Sequence, residues 1–231
     1  MNADRPKAAL QVGGRAMASR VIEAIKGAGI SRIVTVVGHR ADDVQVAVGD
    51  GVEYVVQEEQ LGTGHAAHCA EASLSGWEGP VVVAYADIPL LRSVDVVSLV
   101  EGHVRSGAAA TLLTAIFEDP KKLGRILRDD DGKVRGIIET RDASEEQLEI
   151  KEINVGVYCF DGSKLFRALA QVKNDNAQHQ YYLTDTVGIL VEGGERVEAV
   201  VMAVAHAGIG VNTAEDLARA QGLSALDQTY T

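Results

Sequence analysis

"PVVVAYAD", residues 80–87, is apolar from its second to its seventh position and ends in an aspartate. A strand with one exposed face alternates apolar and polar side chains, whereas an uninterrupted apolar run is buried on both faces. Helices usually cover such a strand, so this stretch predicts an α/β fold with a sheet packed between helices. The runs "RIVTVVG" (32–38) and "VEYVVQ" (52–57) share this character and predict two further strands.

Helical and strand patterns alternate on either side of this stretch. Apolar residues recur at helical spacing in "AMASRVIEAIKGAGI" (16–30), which closes with a glycine suited to a helix C-cap. We expect further helices at 42–49, 63–74 and 93–106, and a further strand at 108–117. Alternation of buried strands with helices is typical of parallel strands joined by crossover helices, so the first half predicts a parallel sheet.

The second half of the chain has a different pattern. "GRILRDDDGKVRGIIE" (124–139) predicts two strands joined by an Asp-Gly turn, with its acidic run at a solvated hairpin tip. The remaining predicted elements are a strand at 151–160, a helix near 163–171, a polar loop at 173–180, a helix at 181–194, a strand at 197–204 and a helix at 213–225. No low-complexity linker divides the chain, so we expect one domain over residues 1–225 and a tail at 226–231.

Composition argues against several classes of protein. The 231 residues carry 22 Lys and Arg against 33 Asp and Glu, which gives a formal net charge of −11. This charge disfavours a nucleic-acid binder, whose phosphate contacts need clustered cations, but it is compatible with a small nucleotide held by a few local donors. The stretch "MNADRPKAAL" lacks a signal core, and no apolar run is long enough to span a membrane. We therefore expect a cytoplasmic protein without membrane contact, with free buried thiols at Cys69 and Cys159.

Polar residues and glycines gather where the predicted strands end. In open α/β sheets, ligands bind beyond the carboxyl ends of the strands. The residues at or near those positions are Gln57, Gln60, Gly62, Thr63, Gly64, Asp87, Glu139, Asn154 and Asn212. We expect them to form one ligand-binding edge of the sheet.

The stretch "QEEQLGTGHAA" (57–67) has two interpretations. The amide of Gln57 offers a donor and an acceptor together, which suits the edge of a nucleobase. The glycines beside Thr63 would let the backbone approach a flat or anionic group, and Thr63 could cap the helix that follows. The alternative is a capped helix start after a plain glycine turn.

Several charged or ligating side chains are equally ambiguous. Asp87 follows the most apolar strand, where a carboxylate can act as a hard oxygen ligand for Mg²⁺ on phosphates, or simply as a turn aspartate. Lys7 could contact phosphate or remain a solvated lysine. His65 and His68, beside Cys69, resemble a metal pair, but no third ligand is spaced to join them, which favours ordinary histidines.

Five motifs in this order resemble one family: "QEEQLGTGHAA", "YADIPLL", "EINVGVY", "NAQHQYYLTD" and "GVNTAEDLA". From Met1 to about Gln221 the chain is similar to the uridyltransferase domain of bacterial bifunctional N-acetylglucosamine-1-phosphate uridyltransferase/glucosamine-1-phosphate acetyltransferase. The resemblance implies a Rossmann-like nucleotidyltransferase fold of the glycosyltransferase-A-like type, with a mixed sheet flanked by helices. It also implies a Mg²⁺-dependent reaction of UTP with N-acetylglucosamine 1-phosphate. The products would be pyrophosphate and UDP-N-acetylglucosamine, a peptidoglycan precursor.

The resemblance also implies a role for each matching position. The implied residues are, for uracil, Gln57, Gly62 and Thr63; for Mg²⁺, Asp87 and Asn212; for the sugar phosphate, Tyr85, Ala86, Gly124, Glu139 and Asn154; and, for phosphate charge, the catalytic Lys7.

The chain departs from the family pattern in three ways. The family opens with a strand and a glycine-rich phosphate loop, whereas Met1 aligns with the last methionine of that loop. We therefore expect a sheet without its first strand, unpaired edges on the neighbouring strands, and little turnover by this chain. No segment after Thr231 could form the acetyltransferase domain, so we expect no acetyl transfer, and the oligomeric state stays open. Finally, Ala86 replaces a glycine, a small change that we expect to be tolerated, and Gln180 replaces a glutamate with an effect left open.

Two other functions fit the same residues. A catalytically inactive UDP-sugar-binding protein would keep the uridine and sugar contacts without turnover. A nucleotidyltransferase for another sugar phosphate or another base would use the same chemistry, and a substrate panel would separate it.

Overall fold

The computed structural model describes residues 5–227. Its strands are β1 (Gln11–Val12), β2 (Arg15–Ala16), β3 (Val34–Val37), β4 (Glu53–Val56), β5 (Pro80–Ala84), β6 (Ala110–Ile116), β7 (Arg125–Arg128), β8 (Val134–Ile138), β9 (Glu152–Asp161) and β10 (Val197–Val201). Its α-helices are α1 (Met17–Gly27), α2 (Ala41–Val48), α3 (Thr63–Cys69), α4 (Ser93–Ser106), α5 (Glu145–Leu148), α6 (Gly162–Leu169), α7 (Asp185–Glu192) and α8 (Ala214–Asp227).

The central sheet is built around β9. One edge of β9 pairs antiparallel with β6 along most of its length, and β10 pairs parallel with β6. The other edge pairs antiparallel with β5 in its C-terminal half and with β7 at Ile153. The sheet is therefore mixed, as the family resemblance implied. The parallel pairing predicted for the first half is confirmed for β3 and β4, but it is wrong for β5 and β6, which pair antiparallel with β9. Apolar periodicity reports burial of both faces, whereas strand direction is set by the connections, which periodicity does not record.

The core lies on both faces of this sheet, because successive side chains of β9 point to opposite sides. Tyr158 and Phe160 pack with α6 and α7, while Val157 and Cys159 pack with α1 and α4. The prediction of strands buried on both faces is confirmed for β6, whereas β3, β4 and β5 are mostly only partly buried and β4 is exposed at both ends. Both cysteines are free, but Cys69 is only partly buried, so the prediction of two buried thiols is correct for Cys159 alone.

A groove separates β5 from the parallel pair β3–β4. Within residues 5–227, neither β3 nor β5 has a strand partner on the side that faces the groove. The groove has a volume of about 800 Å³ and is lined by apolar residues of both strands, α1 and α3. We call it the edge groove. In the described part of the chain, the edges of β3 and β5 that border the groove are unpaired, as we expected for strands that neighbour a missing first strand.

Element boundaries differ from the predictions in informative places. The helix predicted at 181–194 begins only at Asp185. Before it, Tyr181 N–H donates to Leu61 O at 2.8 Å, and Gly64 N–H donates to Tyr181 O at 2.8 Å. This pairing holds the segment extended against the loop that precedes α3. The β1–β2 hairpin and α5 were not predicted.

The ends of the predicted domain differ slightly from the structure. Helix α8 runs through Asp227, beyond the predicted end at 225, and the last four residues of the predicted tail lie outside the described residues. Within residues 5–227, no helix combines the length and apolar composition needed to cross a bilayer.

Candidate functional site

The residues expected at the carboxyl ends of the strands do lie together. Thr63, on the loop after β4, and Tyr85, which follows β5, both line the edge groove. Tyr85 N–H donates to Gly156 O of β9 at 3.0 Å. The loop after β4 and the end of β5 therefore border the same groove beside the middle of β9, and the polar residues around them form one cleft.

Lys7, Asp87 and Asn212 form the first group in this cleft, which we call the Lys7 cluster. The ammonium of Lys7 donates to Asp87 Oδ2 at 2.5 Å and to Asn212 Oδ1 at 2.8 Å. The main chain holds the two oxygens in place, since Val211 N–H donates to Asp87 O at 2.8 Å. Asp216 fixes the other side by accepting from Asn212 N–H at 3.0 Å.

The Lys7 cluster suits a divalent cation in its donor chemistry. Asp87 and Asn212 present two hard oxygens that converge on one cation, which is the lysine ammonium in the structure. Mg²⁺ prefers such oxygens and usually completes its shell with water and substrate phosphates. Within residues 5–227, no group of three or more His, Cys, Asp or Glu side chains could hold a metal ion. A cation bound by the Lys7 cluster would therefore depend on the substrate for further ligands.

The second group is the loop 57–64, whose conformation is fixed by contacts that the sequence did not reveal. The buried Gln57 donates from Nε2 to Gly62 O at 3.1 Å, and the same atom lies 3.0 Å from His65 Nδ1. His65 thus supports the loop, a role missed in the sequence. Thr63 Oγ1 accepts from Leu183 N–H at 3.0 Å, and α3 has no side-chain cap. The prediction that Thr63 caps α3 is therefore wrong.

Gly62 serves the fold of the loop itself. Its φ is +118°, and a Cβ at this position would lie 2.5 Å from Tyr181 O. The close approach that the glycine allows is to the chain near Tyr181, whereas the sequence suggested an approach to a ligand. Gln180 adjoins the same contact, because its Cβ would lie 3.0 Å from the added methyl group.

The third group lies where β7, β8 and β9 meet, and we call it the Glu139 cluster. It comprises Gly124, Glu139, Asn154 and Thr184. Asn154 N–H donates to Gly124 O at 2.9 Å, and Thr184 Oγ1 donates to Glu139 Oε1 at 3.3 Å. A Cβ on Gly124 would lie 3.4 Å from Glu139 Oε2, so the glycine leaves the carboxylate room. Thr184 was not predicted, because nothing in the sequence links residue 184 to residue 139.

Electrostatics distinguish this side of the cleft. Burial raises the pKa of Glu139, and the hydrogen bond from Thr184 offsets part of that rise. Burial, together with Glu139, Asp142 and Asp175, raises the pKa of Asp185 to about 6. These carboxyl groups make the Glu139 side acidic, which suits a ligand that presents hydroxyl or amide donors.

Tyr85 joins the second and third groups. Its hydroxyl lies 3.5 Å from that of Tyr158, which is hydrogen-bonded to Asn154 of the third group, and its side chain lines the edge groove together with Thr63 of the second group. Burial raises the pKa of Tyr85 to about 12, so the phenol stays neutral and can donate a hydrogen bond. Ala86, the next residue, is exposed and lines the opening between Tyr85 and Asp87.

Comparison with known proteins gives consistent matches. Residues 1–184 match the MobA-like NTP transferase domain. The chain is 47% identical over 210 residues to the bifunctional protein GlmU of Pediococcus pentosaceus, which covers 91% of this chain and 45% of that protein. It is 42% identical over 221 residues to the bifunctional protein GlmU of Streptococcus equi subsp. zooepidemicus, which covers 96% of this chain and 48% of that protein. The chain thus spans about half the length of the curated relatives that it matches.

A solved structure supports the fold. UDP-glucose pyrophosphorylase complexed with UDP-glucose superposes with a TM-score of 0.74, covering 96% of this chain and 91% of that one. The sequence identity is 16%, so this likeness concerns the fold alone. The fold is the mixed α/β nucleotidyltransferase fold, as the five sequence motifs implied.

Proposed function

Since the chain belongs to the MobA-like NTP transferase domain family, we propose that it transfers a nucleotidyl group from a nucleoside triphosphate to a sugar 1-phosphate. We propose UTP and N-acetylglucosamine 1-phosphate as the substrates, and UDP-N-acetylglucosamine and pyrophosphate as the products. The observation that carries the proposal is the convergence of Asp87 and Asn212 on one cation beside Lys7. The similarity to GlmU proteins and the five sequence motifs support the choice of substrates.

The proposed reaction needs positioning and charge neutralisation more than protein chemistry. A phosphate oxygen of the sugar phosphate attacks the α-phosphorus of UTP in line, and the bond to the departing pyrophosphate breaks. Mg²⁺ held by Asp87 and Asn212 would neutralise phosphate charge and orient the phosphates. Lys7 adds a positive charge beside the same oxygens and is the catalytic residue that we propose. No protein nucleophile is required, because the acceptor supplies its own.

The other two groups would hold the two ends of the substrates. Gln57, Gly62 and Thr63 lie on the loop 57–64 and are proposed to recognise uracil. Glu139 would accept a hydrogen bond from the sugar, and Asn154 would donate one to it.

Tyr85 stands between the two substrate-binding groups. With Gly124 and Ala86, it completes the proposed sugar side of the cleft.

A second candidate is binding of a UDP-sugar without turnover. The edge groove favours it, because Lys7, Tyr85 and Asp87 of the proposed site line that groove. A site bordered by an interrupted sheet could keep its uridine and sugar contacts while losing the precise phosphate geometry that catalysis requires.

The deciding experiment is an assay of pyrophosphate release with MgCl₂, UTP and N-acetylglucosamine 1-phosphate, in which we expect this chain to turn over slowly. Asp87→Asn tests whether the convergence of Asp87 and Asn212 on one cation supports catalysis. It should lower turnover at least about 100-fold. Asp130→Asn, at the exposed hairpin tip, is the matched control and should leave turnover unchanged. Calorimetric binding of UDP-N-acetylglucosamine without turnover would favour the second candidate. Preference for another triphosphate or for glucose 1-phosphate would contradict the choice of substrates.

Other expectations belong to the same proposal. A cytoplasmic location, a contribution to peptidoglycan precursors and the absence of nucleic-acid and membrane partners remain predictions. Cell fractionation and the size of the UDP-sugar pool after depletion of the protein would test the first two. The oligomeric state remains open.

A further inference from the structure

Tyr158 is a buried polar side chain to which the proposed function gives no role. It lies in the middle of β9 with no exposed surface. A buried tyrosine hydroxyl normally finds a hydrogen-bond partner, because an unpaired one is costly. Here Asn154 Nδ2 donates to the Tyr158 hydroxyl at 2.7 Å, and the Tyr85 hydroxyl lies 3.5 Å away.

A bulge in β9 makes this contact possible. Leu112 pairs with Tyr158 and Thr114 pairs with Asn154, so the β9 residues 155–157 lie opposite Leu113 alone. In a regular strand, the Cα atoms of residues four apart would be separated by about 13 Å. The extra residues bend the strand and turn the amide of Asn154 towards the phenol of Tyr158.

Gly156 is required at the centre of this bulge. Its φ is +84°, and a Cβ there would lie 2.5 Å from the ring of Tyr85. The backbone N–H of Gly156 donates to Asn154 Oδ1 at 3.1 Å. The bulge therefore supplies one of the two hydrogen bonds that hold the Asn154 amide.

These two hydrogen bonds determine which way the amide faces. Asn154 accepts at Oδ1 from Gly156 and donates at Nδ2 to Tyr158. A flipped amide would set Nδ2 against the backbone N–H of Gly156, where two donors would face each other. The second N–H on Nδ2 and the second lone pair on Oδ1 remain unused by these two hydrogen bonds, and their directions are fixed.

We propose that Tyr158 is a positioning residue for the sugar phosphate, acting through Asn154. The inference rests on the proposed function, in which Asn154 contacts the sugar. Tyr158 touches no substrate in this scheme. Its hydroxyl fixes the Asn154 amide, so the remaining donor and acceptor are ready before the sugar phosphate arrives.

Tyr158→Phe tests the proposal because it keeps the ring and removes only the hydroxyl. We expect the KM for N-acetylglucosamine 1-phosphate to rise about 10-fold, with kcat and the KM for UTP changed less than about twofold. Tyr54→Phe is the matched control, because the Tyr54 hydroxyl makes one hydrogen bond, to Gly49 O at 2.6 Å, in β4. On an Asn154→Ala background, Tyr158→Phe should have no further effect. Equal increases in the KM values for both substrates, or additive effects in the double variant, would overturn the proposal.

A readout independent of turnover separates this inference from the proposed function. In NMR spectra of the unaltered protein, the side-chain amide of Asn154 should exchange slowly with solvent, and Tyr158→Phe should speed that exchange. An unchanged Asn154 amide in Tyr158→Phe would overturn the positioning role even in an active enzyme. A slow amide in a protein that neither turns over nor binds UDP-N-acetylglucosamine would refute the proposed function. The geometric role of Tyr158 would stand, but its role towards the sugar would be overturned with that function.

Discussion

At the scale of single residues, the central feature of the site is the contact between Asp87 and one cation, the ammonium of Lys7. Asp87 Oδ2 lies 2.5 Å from the Lys7 ammonium, and a magnesium ion would need the same oxygen at about 2.1 Å. Two cations cannot share that oxygen closely, because their repulsion is strong in a partly buried site. If a divalent ion binds there as proposed, the ammonium would have to move aside, and the phosphates of the proposed substrate would be its natural new partner.

Lys7→Ala separates two roles of the Lys7 ammonium: its contact with the substrate phosphates and its competition with the divalent ion for Asp87. Turnover should fall about 100-fold, because a positive charge beside the phosphates is lost. Binding of Mn²⁺ in the absence of nucleotide should tighten roughly two- to fivefold, because the competing ammonium is gone. Electron paramagnetic resonance of free Mn²⁺ measures that affinity, with Lys133→Ala at the hairpin tip as the control. Weaker Mn²⁺ binding in Lys7→Ala would contradict competition for one position.

Glu139 should make the binding of sugar phosphate dependent on pH. Burial raises its pKa, so the carboxylate becomes protonated at a higher pH than an exposed glutamate would. If the ionised form accepts from the sugar, the KM for sugar phosphate should rise as the pH falls through that raised pKa. Glu139→Gln should raise the KM about 10- to 100-fold at pH 8 and remove the part of the pH dependence that Glu139 contributes. A pH dependence that survives undiminished in Glu139→Gln would assign it to another group.

The sequence predicted which residues meet in the site, but not what holds them. Asp87 and Glu139 were chosen by their positions at strand ends and Asn154 by its place within a strand, and the structure brings them into one cleft. Their roles remain predictions. Thr184 and Tyr158 were missed, because their contacts depend on the path of loops and on a bulge, neither of which leaves a periodic signal.

At the scale of elements, the loop 57–64 and the segment before α7 hold each other in place. Leu61, Thr63 and Gly64 bond to residues 181–183, which keeps this segment out of the helix predicted there. Helix propensity favoured an earlier start, but three specific hydrogen bonds to a distant loop outweigh it. Long-range pairing of this kind cannot be predicted from the local pattern of either segment.

A pair of glycine substitutions tests this docking. Gly62→Ala should destabilise the protein by more than about 2 kcal/mol, because φ is +118° and the methyl group would meet Tyr181 O. Gly188→Ala, inside α7 with open space around it, should stabilise by roughly 0.5–1 kcal/mol. Urea unfolding of both variants provides the measurement. Equal stability of Gly62→Ala and the parent would refute the close docking.

The start of α7 should make stability depend on pH. The pKa of Asp185 is raised to about 6, so the folded state binds a proton that the unfolded state releases between about pH 4 and 6. The free energy of unfolding therefore falls as the pH rises through this window. Two pKa units correspond to about 2.7 kcal/mol, and partial exposure reduces this to roughly 1 kcal/mol.

Asp185→Asn removes this ionisation. The variant should be more stable than the parent by roughly 1 kcal/mol at pH 7.5, and the gain should shrink to a few tenths near pH 4. Thermal unfolding at both values gives the comparison, and Asp130→Asn should show no such difference. A gain of equal size at both pH values would point to a cause other than ionisation.

The whole molecule is arranged around β9 and interrupted at the edge groove. The sequence predicted nearly every strand, because burial on both faces gives a strong apolar pattern. It could not predict that β9 runs against β5 and β6, since that depends on pairings between distant residues such as Val82 and Cys159.

The edge groove should be visible in amide hydrogen exchange. About half of the amides of β3 and β5 point away from the one strand that pairs with each of them within residues 5–227, so these amides should exchange at least about 100-fold faster than those of β9. Strand β10 is the internal control, because in the described part of the chain it also pairs along one edge only, with β6. Exchange of β5 as slow as that of β9 would show that the groove is closed in solution.

The position of β9 also bears on protein engineering. Its pairing partners β5, β6 and β7 all precede it, and the connection at 140–151 that leads into it is largely exposed. A cut in this connection would give one fragment that lacks its central strand and another that consists mainly of this strand, β10 and three α-helices. Neither fragment could complete a sheet alone, so their association would restore the fold. The chain therefore offers a natural breakpoint for a two-part reporter that signals when two fused proteins meet.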